Sequence, residues 1–443
     1  MLELLILVNL LLAALALVNL RPAGFILAVN HLVALRALEN IRDFGQPESE
    51  SYIPASVFSH GNVHTATFLF TLSTAWLLIF ALLSAPTRRQ KQPEYSPVPR
   101  WLLLIILVFF VLATFTSQTI LDRAYDNSAK TMFGVNLGGV NALLNSLFIY
   151  ELFRRVTLRQ IKPMTGFALL VFQLFLTDYS KGSTGFATGC AFSGAILLLG
   201  LEANQARRLR LIIGSIVAMA ATAFLVRSVR ASIHDEGQLA ISQFMTASSE
   251  AEASRSQTGQ GLENQGNGTQ YAAHLLECIT LFDSGLSRDW RSIYNPIIYT
   301  LEPSFLLEPL GITRPLDAPW ELGHYFIHGG GIYILADLYW NGGYACVILI
   351  FGLIALWSFL CDTRYRGSAL WLMFLCQFAP GLLQGVGYGF AQVFRSFFNG
   401  ILVVLAYVVL RRLRGRATRG DRRPDLPGDS RVVGHPGRSS PLA

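Results

Sequence analysis

The chain has 443 residues, of which 52% are hydrophobic and 14% are charged. A typical soluble domain is about 25% charged, so this composition excludes an ordinary soluble enzyme. The long apolar runs are near the ~20 residues with which a helix crosses a bilayer, whereas a membrane β-barrel would show alternating segments of ~10 residues. The sequence therefore predicts an all-α, polytopic helical membrane protein.

About eleven transmembrane helices are predicted from these runs. The second contains Asn30, His31 and Arg36, and the fifth contains several asparagines, so both are semi-polar. The start of the chain lacks the charged region and cleavage site of a signal peptide, so the first helix is expected to be retained. The predicted spans are 2–20, 22–38, 64–84, 101–119, 131–153, 163–179, 183–201, 209–228, 343–361, 367–388 and 393–411.

Arginine and lysine cluster in alternate connections and in the C-terminal tail. The positive-inside rule places these segments in the cytoplasm and the 229–342 loop outside. The N-terminus is then outside if the 22–38 span crosses the membrane. The net charge of +7 follows from this topology and favours contact with anionic membrane lipids. No basic face with interleaved aromatic residues is present, so no nucleic-acid partner is predicted.

The predicted organisation has four parts. Residues 1–228 contain spans 1–8, residues 229–342 form one large external loop, and residues 343–411 contain the last three spans. Residues 412–443 are rich in Arg, Pro, Gly and Ser, which predicts a disordered basic tail.

The large loop has two different halves. Residues 246–270 are rich in Ser, Glu, Gln, Gly and Asn, and are predicted to be mobile. Residues 271–342 carry aromatics and prolines, and amphipathic helices are predicted over Tyr271–Phe282 and Tyr294–Leu310. This half is expected to fold over the membrane face as a lid or as the wall of a cavity. The five scattered cysteines indicate neither a disulfide framework nor a metal site.

Signatures of soluble enzymes are absent from the sequence. It has no Walker A loop, nucleophile elbow, zinc-protease helix or dinucleotide fingerprint. No cofactor and no metal are therefore predicted. The remaining candidates are cations and histidines near the predicted outer surface.

Several cations lie where topology alone does not require them. Arg227 and Arg230 are at the outer end of a span, and the planar guanidinium suits phosphate. Lys181 is in a tight external turn before a helix N-terminus, which favours anions, although a snorkelling lysine is the alternative. Arg395, near the outer start of the last span, is expected to face a cavity.

Loop arginines extend this set. Arg288, Arg291 and Arg314 lie in the second half of the loop, where each is also typical of a surface residue. Arg291 and Arg314 are counted with the four cations above as candidate anion contacts.

Two histidines and an aspartate are the candidate acid–base groups. His324 and His328 are four residues apart, which puts them on one face if the segment is helical. A neutral imidazole can accept a proton near pH 7, although a structural histidine is the alternative. Asp337 could orient a histidine or a sugar hydroxyl, or pair with an arginine at a helix mouth. The glycines at 329–331 allow close approach of a ligand to the backbone.

The block Ala-Asp-Leu-Tyr-Trp-Asn-Gly-Gly at 336–343 follows this Gly-rich stretch late in the chain. With the many spans and the single large loop, it resembles the O-antigen (Wzy-type) polymerases, whose block has Glu in place of Asp337 and Phe in place of Gly342. The Ser-Lys-Gly turn at 180–182 is similar to a Ser-Arg-Gly turn of that family, and 295–315 is similar to its proline-punctuated segment. The two histidines also resemble a histidine near the end of the loop in the related O-antigen ligases.

The resemblance implies a metal-independent glycosyltransferase of the bacterial inner membrane, with the loop periplasmic and the C-terminus cytoplasmic. It implies a donor glycan carried on undecaprenyl pyrophosphate and attack by a hydroxyl of a second lipid-linked repeat unit. A chain-length regulator and a flippase are implied partners. The expected roles are catalysis by His328, His324 and Asp337, pyrophosphate binding by Arg227, Arg230, Arg395, Lys181, Arg314 and Arg291, and sugar binding by Tyr339, Asn341 and Trp320.

Two other functions remain open at this point. An O-antigen ligase would use the same donor with a different acceptor, and no feature of the sequence separates the two. A transporter or flippase for lipid-linked oligosaccharides is disfavoured by the long external loop and by the lack of a recognisable inverted repeat.

Overall fold

The computed structural model describes residues 1–44, 55–83, 95, 97–99, 101–108, 131–132, 135–136, 138–179, 185–236, 267–301, 318–326 and 331–420. These parts of the chain are helical apart from one pair of two-residue strands, turns and short connections. The helices are α1 (Leu2–Val18), α2 (Pro22–Phe44), α3 (His60–Leu83), α4 (Gly138–Thr157), α5 (Pro163–Thr177), α6 (Gly185–Gly194), α7 (Gln205–Glu236), α8 (Asn267–Asp283), α9 (Arg291–Leu301), α10 (Ala318–Leu322), α11 (Ile334–Cys346), α12 (Gly352–Arg364), α13 (Ala369–Tyr388) and α14 (Phe390–Gly420).

Shorter elements complete or join these helices. A π-helical segment, Ala195–Leu199, continues α6, and another, Val347–Phe351, joins α11 to α12. Residues Ala55–Phe58 and Tyr365–Gly367 form 3-10 turns. Residues 101–108 are also helical.

Six helical segments are long and apolar enough to cross a membrane, counting the described residues. The all-α class is thereby confirmed for the described residues, with six candidate membrane-spanning helices, while the number of eleven spans stays a prediction. Leu4, Leu7 and Leu11 on α1 are exposed, as expected where the surrounding solvent is lipid. The six segments are Pro22–Asp43, His60–Leu83, Gln205–Val226, Ile334–Gly367, Ala369–Tyr388 and Phe390–Val409, and shorter apolar helices are Leu2–Val18, Pro163–Thr177 and Gly185–Leu199.

Several predicted boundaries are wrong. The fifth span was expected from residue 131, but Thr131–Met132 and Val135–Asn136 pair as antiparallel strands and α4 begins at Gly138. The helix α7 continues to Glu236, beyond the predicted end of its span, and α8 begins at Asn267, inside the segment predicted to be mobile.

The polar second span is a buried helix, and His31 explains its polarity. His31 is fully buried, and its Nε2 lies 2.9 Å from the Ser73 hydroxyl on α3. The Tyr333 hydroxyl lies 3.4 Å from His31 Nδ1 and can donate to it. Ser73 in turn donates to the Phe70 carbonyl at 3.1 Å. The His31 side chain therefore joins α2, α3 and the segment that precedes α11.

The loop helix α8 is an interior element. It packs against α2, α3 and α11, and Ala272, Leu275 and Ile279 are fully buried. The Tyr271 ring stacks on Tyr333 with centroids 4.9 Å apart. The predicted helix over Tyr271–Phe282 is confirmed, since α8 covers Asn267–Asp283. Its placement over the membrane face stays a prediction.

The last third of the chain turns sharply at two glycine positions. Within α11, Gly342 and Gly343 have non-helical angles, and Gly343 has φ +58°, which favours glycine. A Cβ at Gly343 would lie 2.9 Å from the Phe282 ring of α8. Gly389, with φ +81°, separates α13 from α14. These turns fix where the 336–343 block lies relative to α8 and α14.

The chain divides into two compact units, 1–404 and 405–443. In the second unit the described residues are helical to Gly420, so the tail predicted to be disordered from 412 is helical over its first residues. Arginine, leucine and alanine are good helix formers, which accounts for this extension.

Candidate functional site

The candidate site centres on Asp337, which lies near the start of α11 and is 1% exposed. Its Oδ2 accepts the backbone N–H of Phe390 at 2.8 Å, the first residue of α14. Its Oδ1 accepts from the Asn341 side-chain amide at 2.9 Å. A carboxylate at a helix N-terminus satisfies a backbone donor and interacts favourably with the helix dipole. Asp337 therefore positions α14 against α11.

A buried arginine completes this arrangement. Arg288 is 2% exposed, and its Nη1 lies 3.9 Å from Asp337 Oδ1. Its Nε donates to Glu321 Oε2 at 2.9 Å, and its Nη1 donates to the Ser292 hydroxyl. The guanidinium carbon also lies 5.4 Å from the centre of the Trp340 ring. The expectation that Arg288 is a surface residue is wrong, because two carboxylates, a hydroxyl and an aromatic ring surround it.

The polar residues and backbone carbonyls of 336–343 attach the loop segment 286–292 to α11. Asn341 Oδ1 accepts the backbone N–H of Ser292 at 2.8 Å and so caps α9 from another helix. The Trp340 indole donates to the Leu286 carbonyl at 2.6 Å. The backbone N–H groups of Arg288 and Trp290 donate to the carbonyls of Trp340 and Asn341, each at 3.0 Å. The segment 286–292 is thereby held along α11 by both backbone and side chains.

An open edge of this network carries three polar side chains: Glu321, Arg291 and His324. Glu321 is 21% exposed and lies between the buried Arg288 and Arg291, whose Nη1 is 3.9 Å from Glu321 Oε1. Arg291 is 46% exposed. His324 is exposed and its backbone N–H donates to the Glu321 carbonyl at 3.1 Å. This edge therefore presents a carboxylate, a guanidinium and an imidazole beside a rigid buried ion network.

The predicted sugar-binding residues occupy interior positions. Tyr339 is 3% exposed, and its ring packs 4.9 Å from Phe282 of α8. Asn341 is 1% exposed and is engaged with Asp337 and Ser292. Trp320 belongs to α10, and its side chain lies outside the described residues. Sugar binding by these three residues stays a prediction.

Of the six predicted anion-binding cations, the structure describes the side chains of Arg291 and Arg395. Arg395 is exposed on α14, and its Nη1 donates to the Gln392 amide oxygen at 3.1 Å. Arg227 and Arg230 belong to α7, but their side chains lie outside the described residues. Lys181, Arg314 and His328 also lie outside them. His324 lies in a turn after α10 and not in a helix. The condition under which the two histidines would share one helical face is therefore not met at His324.

Sequence reasoning missed Glu321 and the buried role of Arg288. A buried Glu277 on α8 lies in the same region, since Glu277 and Arg288 both interact electrostatically with Cys278. Burial raises the pKa of the Cys278 thiol well above its usual value, with Glu277 adding to the effect. The signal that could have identified Glu321 and Arg288 is that each is a charged residue within a loop segment that is otherwise aromatic and apolar.

The chemistry available here is hydrogen bonding, charge stabilisation and proton transfer. Among the described residues, no group of three or more His, Cys, Asp or Glu side chains is placed to hold a metal ion. Comparison of the chain with protein-family models, curated proteins and solved structures gives no match. The assignment of a function therefore depends on the residues themselves.

Proposed function

We propose that this protein is a membrane glycosyltransferase that joins lipid-pyrophosphate-linked oligosaccharide repeat units at the outer leaflet of a bacterial inner membrane, as an O-antigen (Wzy-type) polymerase does. The supporting features are the polytopic helical class, the 336–343 block and the cations near the predicted outer surface. A lipid-linked donor requires a protein that meets the bilayer directly, which fits this class.

One observation carries the proposal beyond the sequence. The buried contacts of Arg288 with Glu321 and Asp337 fix the start of α9 and the end of α10 against the membrane helices. Arg291 and His324 stand at the open edge of that fixed network. Reacting groups must be held within fractions of an ångström of their productive geometry, and a buried ion network on rigid helices provides such support.

The proposed reaction requires a base and a set of cations, and these groups have separate roles. The acceptor hydroxyl gives its proton to a base while its oxygen bonds to the anomeric carbon of the donor. The bond from that carbon to the pyrophosphate oxygen breaks, and undecaprenyl pyrophosphate leaves with the electron pair. Arginines stabilise the departing negative charge, which is the largest electrostatic demand of the reaction. We assign this role to Arg291 with Arg227, Arg230 and Arg395, and the base to His328 or His324.

A ligase would use the same donor and the same cations, so a ligase and a polymerase differ only in the acceptor. No contact in the described residues favours the lipid A–core or a protein over a second repeat unit. We therefore keep the polymerase as the proposal, on the resemblance of the 336–343 block, and treat the ligase as an outcome of the test.

The test uses purified full-length protein in liposomes with a synthetic undecaprenyl-pyrophosphate oligosaccharide. The expected products are a ladder of lengthened glycans on the carrier, seen by gel and mass spectrometry, and released undecaprenyl pyrophosphate. Transfer to an added lipid A–core acceptor without a ladder would assign a ligase. An intact donor with each acceptor, using protein that melts cooperatively, would reject the glycosyltransferase.

A further inference from the structure

A cavity lies at the opposite ends of the helices from the predicted external loop. It is open, and it is formed where α1 ends, α2 begins and α3 and α12 end; the space in and directly outside it, open solvent included, is about 630 Å³. Its walls are apolar along one side, with Leu12, Leu15, Leu77 and Phe80 among the lining residues. Its other end is polar and contains a cation.

The polar end is built around Arg21 and Asp362. Asp362 accepts the backbone N–H groups of Ala23 and Gly24 at 3.1 and 2.7 Å, so the carboxylate caps α2. Arg21 lines the cavity and interacts electrostatically with Asp362 and with Arg366. The exposed Arg366 donates to the carbonyl of Asn19, another lining residue, at 3.3 Å. Asp362 thus interacts electrostatically with two guanidinium groups, that of Arg21 in the cavity lining and that of Arg366 beside it, which leaves an excess of one positive charge among these three groups.

The apolar side opens toward the outside of the bundle. Leu15 lines the cavity and is 51% exposed, and its neighbours Leu11 and Val18 on α1 are exposed as well. In a membrane-spanning chain, such a surface meets lipid chains. A ligand that enters here has an apolar part along α1 and α3 and an anionic part at the helix ends.

We infer that this cavity binds an anionic phospholipid of the inner leaflet, with its phosphate at Arg21 and Arg366 and one acyl chain between α1 and α3. The excess of one positive charge equals the single negative charge of a phosphodiester. The apolar wall extends from the two arginines in the direction of the helices. Arg21 belongs to the set of basic residues that predicts the cytoplasmic side. Basic pockets between transmembrane helices on that side recognise anionic headgroups.

The test is native mass spectrometry of the full-length protein in detergent with equal amounts of dioleoyl phosphatidylglycerol and dioleoyl phosphatidylcholine. The wild type is expected to retain phosphatidylglycerol preferentially. Arg21→Gln should reduce that preference about fivefold to tenfold, because one cation near a headgroup is lost. Arg207→Gln is the matched control, since Arg207 is an exposed arginine on the same predicted side that does not line the cavity.

A second variant tests the apolar wall separately. Ala81→Phe fills the cavity and leaves both arginines in place, so it should reduce retention of either lipid. If Arg21→Gln does not give folded protein, Arg366→Gln replaces it. Equal retention of the two lipids by the wild type, an equal effect of Arg207→Gln, or full retention by Ala81→Phe would each overturn the inference. Retention of inorganic phosphate in place of either lipid would also overturn it, because the site would then require no acyl chain.

Discussion

The Asp337 carboxylate accepts the backbone N–H of Phe390 at 2.8 Å, and so joins the start of α11 to the start of α14. The intervening Gly389 leaves the room for this contact, because a Cβ there would lie 2.6 Å from Asp337 Oδ2. The same carboxylate meets Asn341 and Arg288. One side chain thus connects the 336–343 block, the loop and the last membrane helix.

Replacing Asp337 is therefore expected to destabilise the protein. Asp337→Ala leaves the N–H of Phe390 without its acceptor and the buried Arg288 with one carboxylate fewer, and an unsatisfied buried donor costs about 1–3 kcal/mol. Asp337→Asn should be milder, because an amide oxygen can still accept from Phe390. The measurement is thermal unfolding of the purified protein in detergent. Asp43→Ala, at an exposed pair with Arg42, is the control and should melt as the wild type does; the capping role is refuted if Asp337→Ala does so too.

Variants of Arg288 and Arg291 are expected to differ, since the first should affect the melting temperature and the second the rate of elongation. Arg288→Ala should lower the melting temperature, because Glu321 and Asp337 lose their buried partner. Arg291 is half exposed, so Arg291→Ala should leave the melting temperature unchanged. If Arg291 contacts pyrophosphate, the same variant loses a charge-assisted contact of about 1.5–3 kcal/mol, or roughly 10- to 150-fold in rate.

The measurement pairs unfolding curves with initial rates of glycan elongation for both variants. Arg291→Lys should recover part of the rate, since it keeps the charge but loses the planar fork. A normal rate in Arg291→Ala would remove this residue from the proposed site, whereas a lowered melting temperature would show that its role is structural.

The other proposed phosphate contacts make a parallel prediction. Replacing Arg227, Arg230 or Arg395 with Ala should each lower the elongation rate roughly 10- to 150-fold, for the same loss of a charge-assisted contact. Arg207→Ala, on the predicted cytoplasmic side, is the control and should have the wild-type rate. Normal elongation in all three variants, at normal expression, would reject an arginine clamp for the leaving group.

The all-helical class was predictable because apolar runs of membrane length have few alternatives to a helix. The polar network was not predictable. Arg288 and Glu321 are 33 residues apart in the chain, and Ser292 and Asn341 are 49 apart. No local periodicity reports such pairs, since they depend on how α8 enters the bundle. Asp337 was identified from its unusual place beside an apolar helix, but its partners required the tertiary structure.

The semi-polar α2 is another helix that was predictable from the sequence although its polar contacts were not. His31 is one of the residues that make the second predicted span semi-polar, and the sequence alone offered no reason for a histidine there. Its reason is a pair of contacts from other elements, Ser73 and Tyr333. The Gly342–Gly343 turn was nearer to being predictable, because two adjacent glycines before an apolar run favour a break in the helix.

The predicted orientation is testable by cysteine labelling without removing the native thiols, because all five are free and buried. Gln257→Cys should react with a membrane-impermeant maleimide from the periplasm. Gly420→Cys should react only after the inner membrane is permeabilised. The unsubstituted protein gives the background, and the reverse pattern would place the loop in the cytoplasm and exclude chemistry at the outer leaflet.

The proposed base gives the last prediction. General-base assistance contributes about 10²–10⁴-fold, so His328→Ala should retain donor binding and lose elongation on that scale. His324, exposed next to Glu321, is the expected second contact, and His324→Ala should have the smaller effect. The wild-type rate should fall below about pH 6, where an ordinary imidazole becomes protonated and can no longer accept a proton. Elongation rates across pH, with donor binding measured separately, distinguish a base from a binding residue. If both variants elongate normally, the base is not a histidine, and Glu321 becomes the candidate to test, because it is a carboxylate at the open edge with buried support from Arg288.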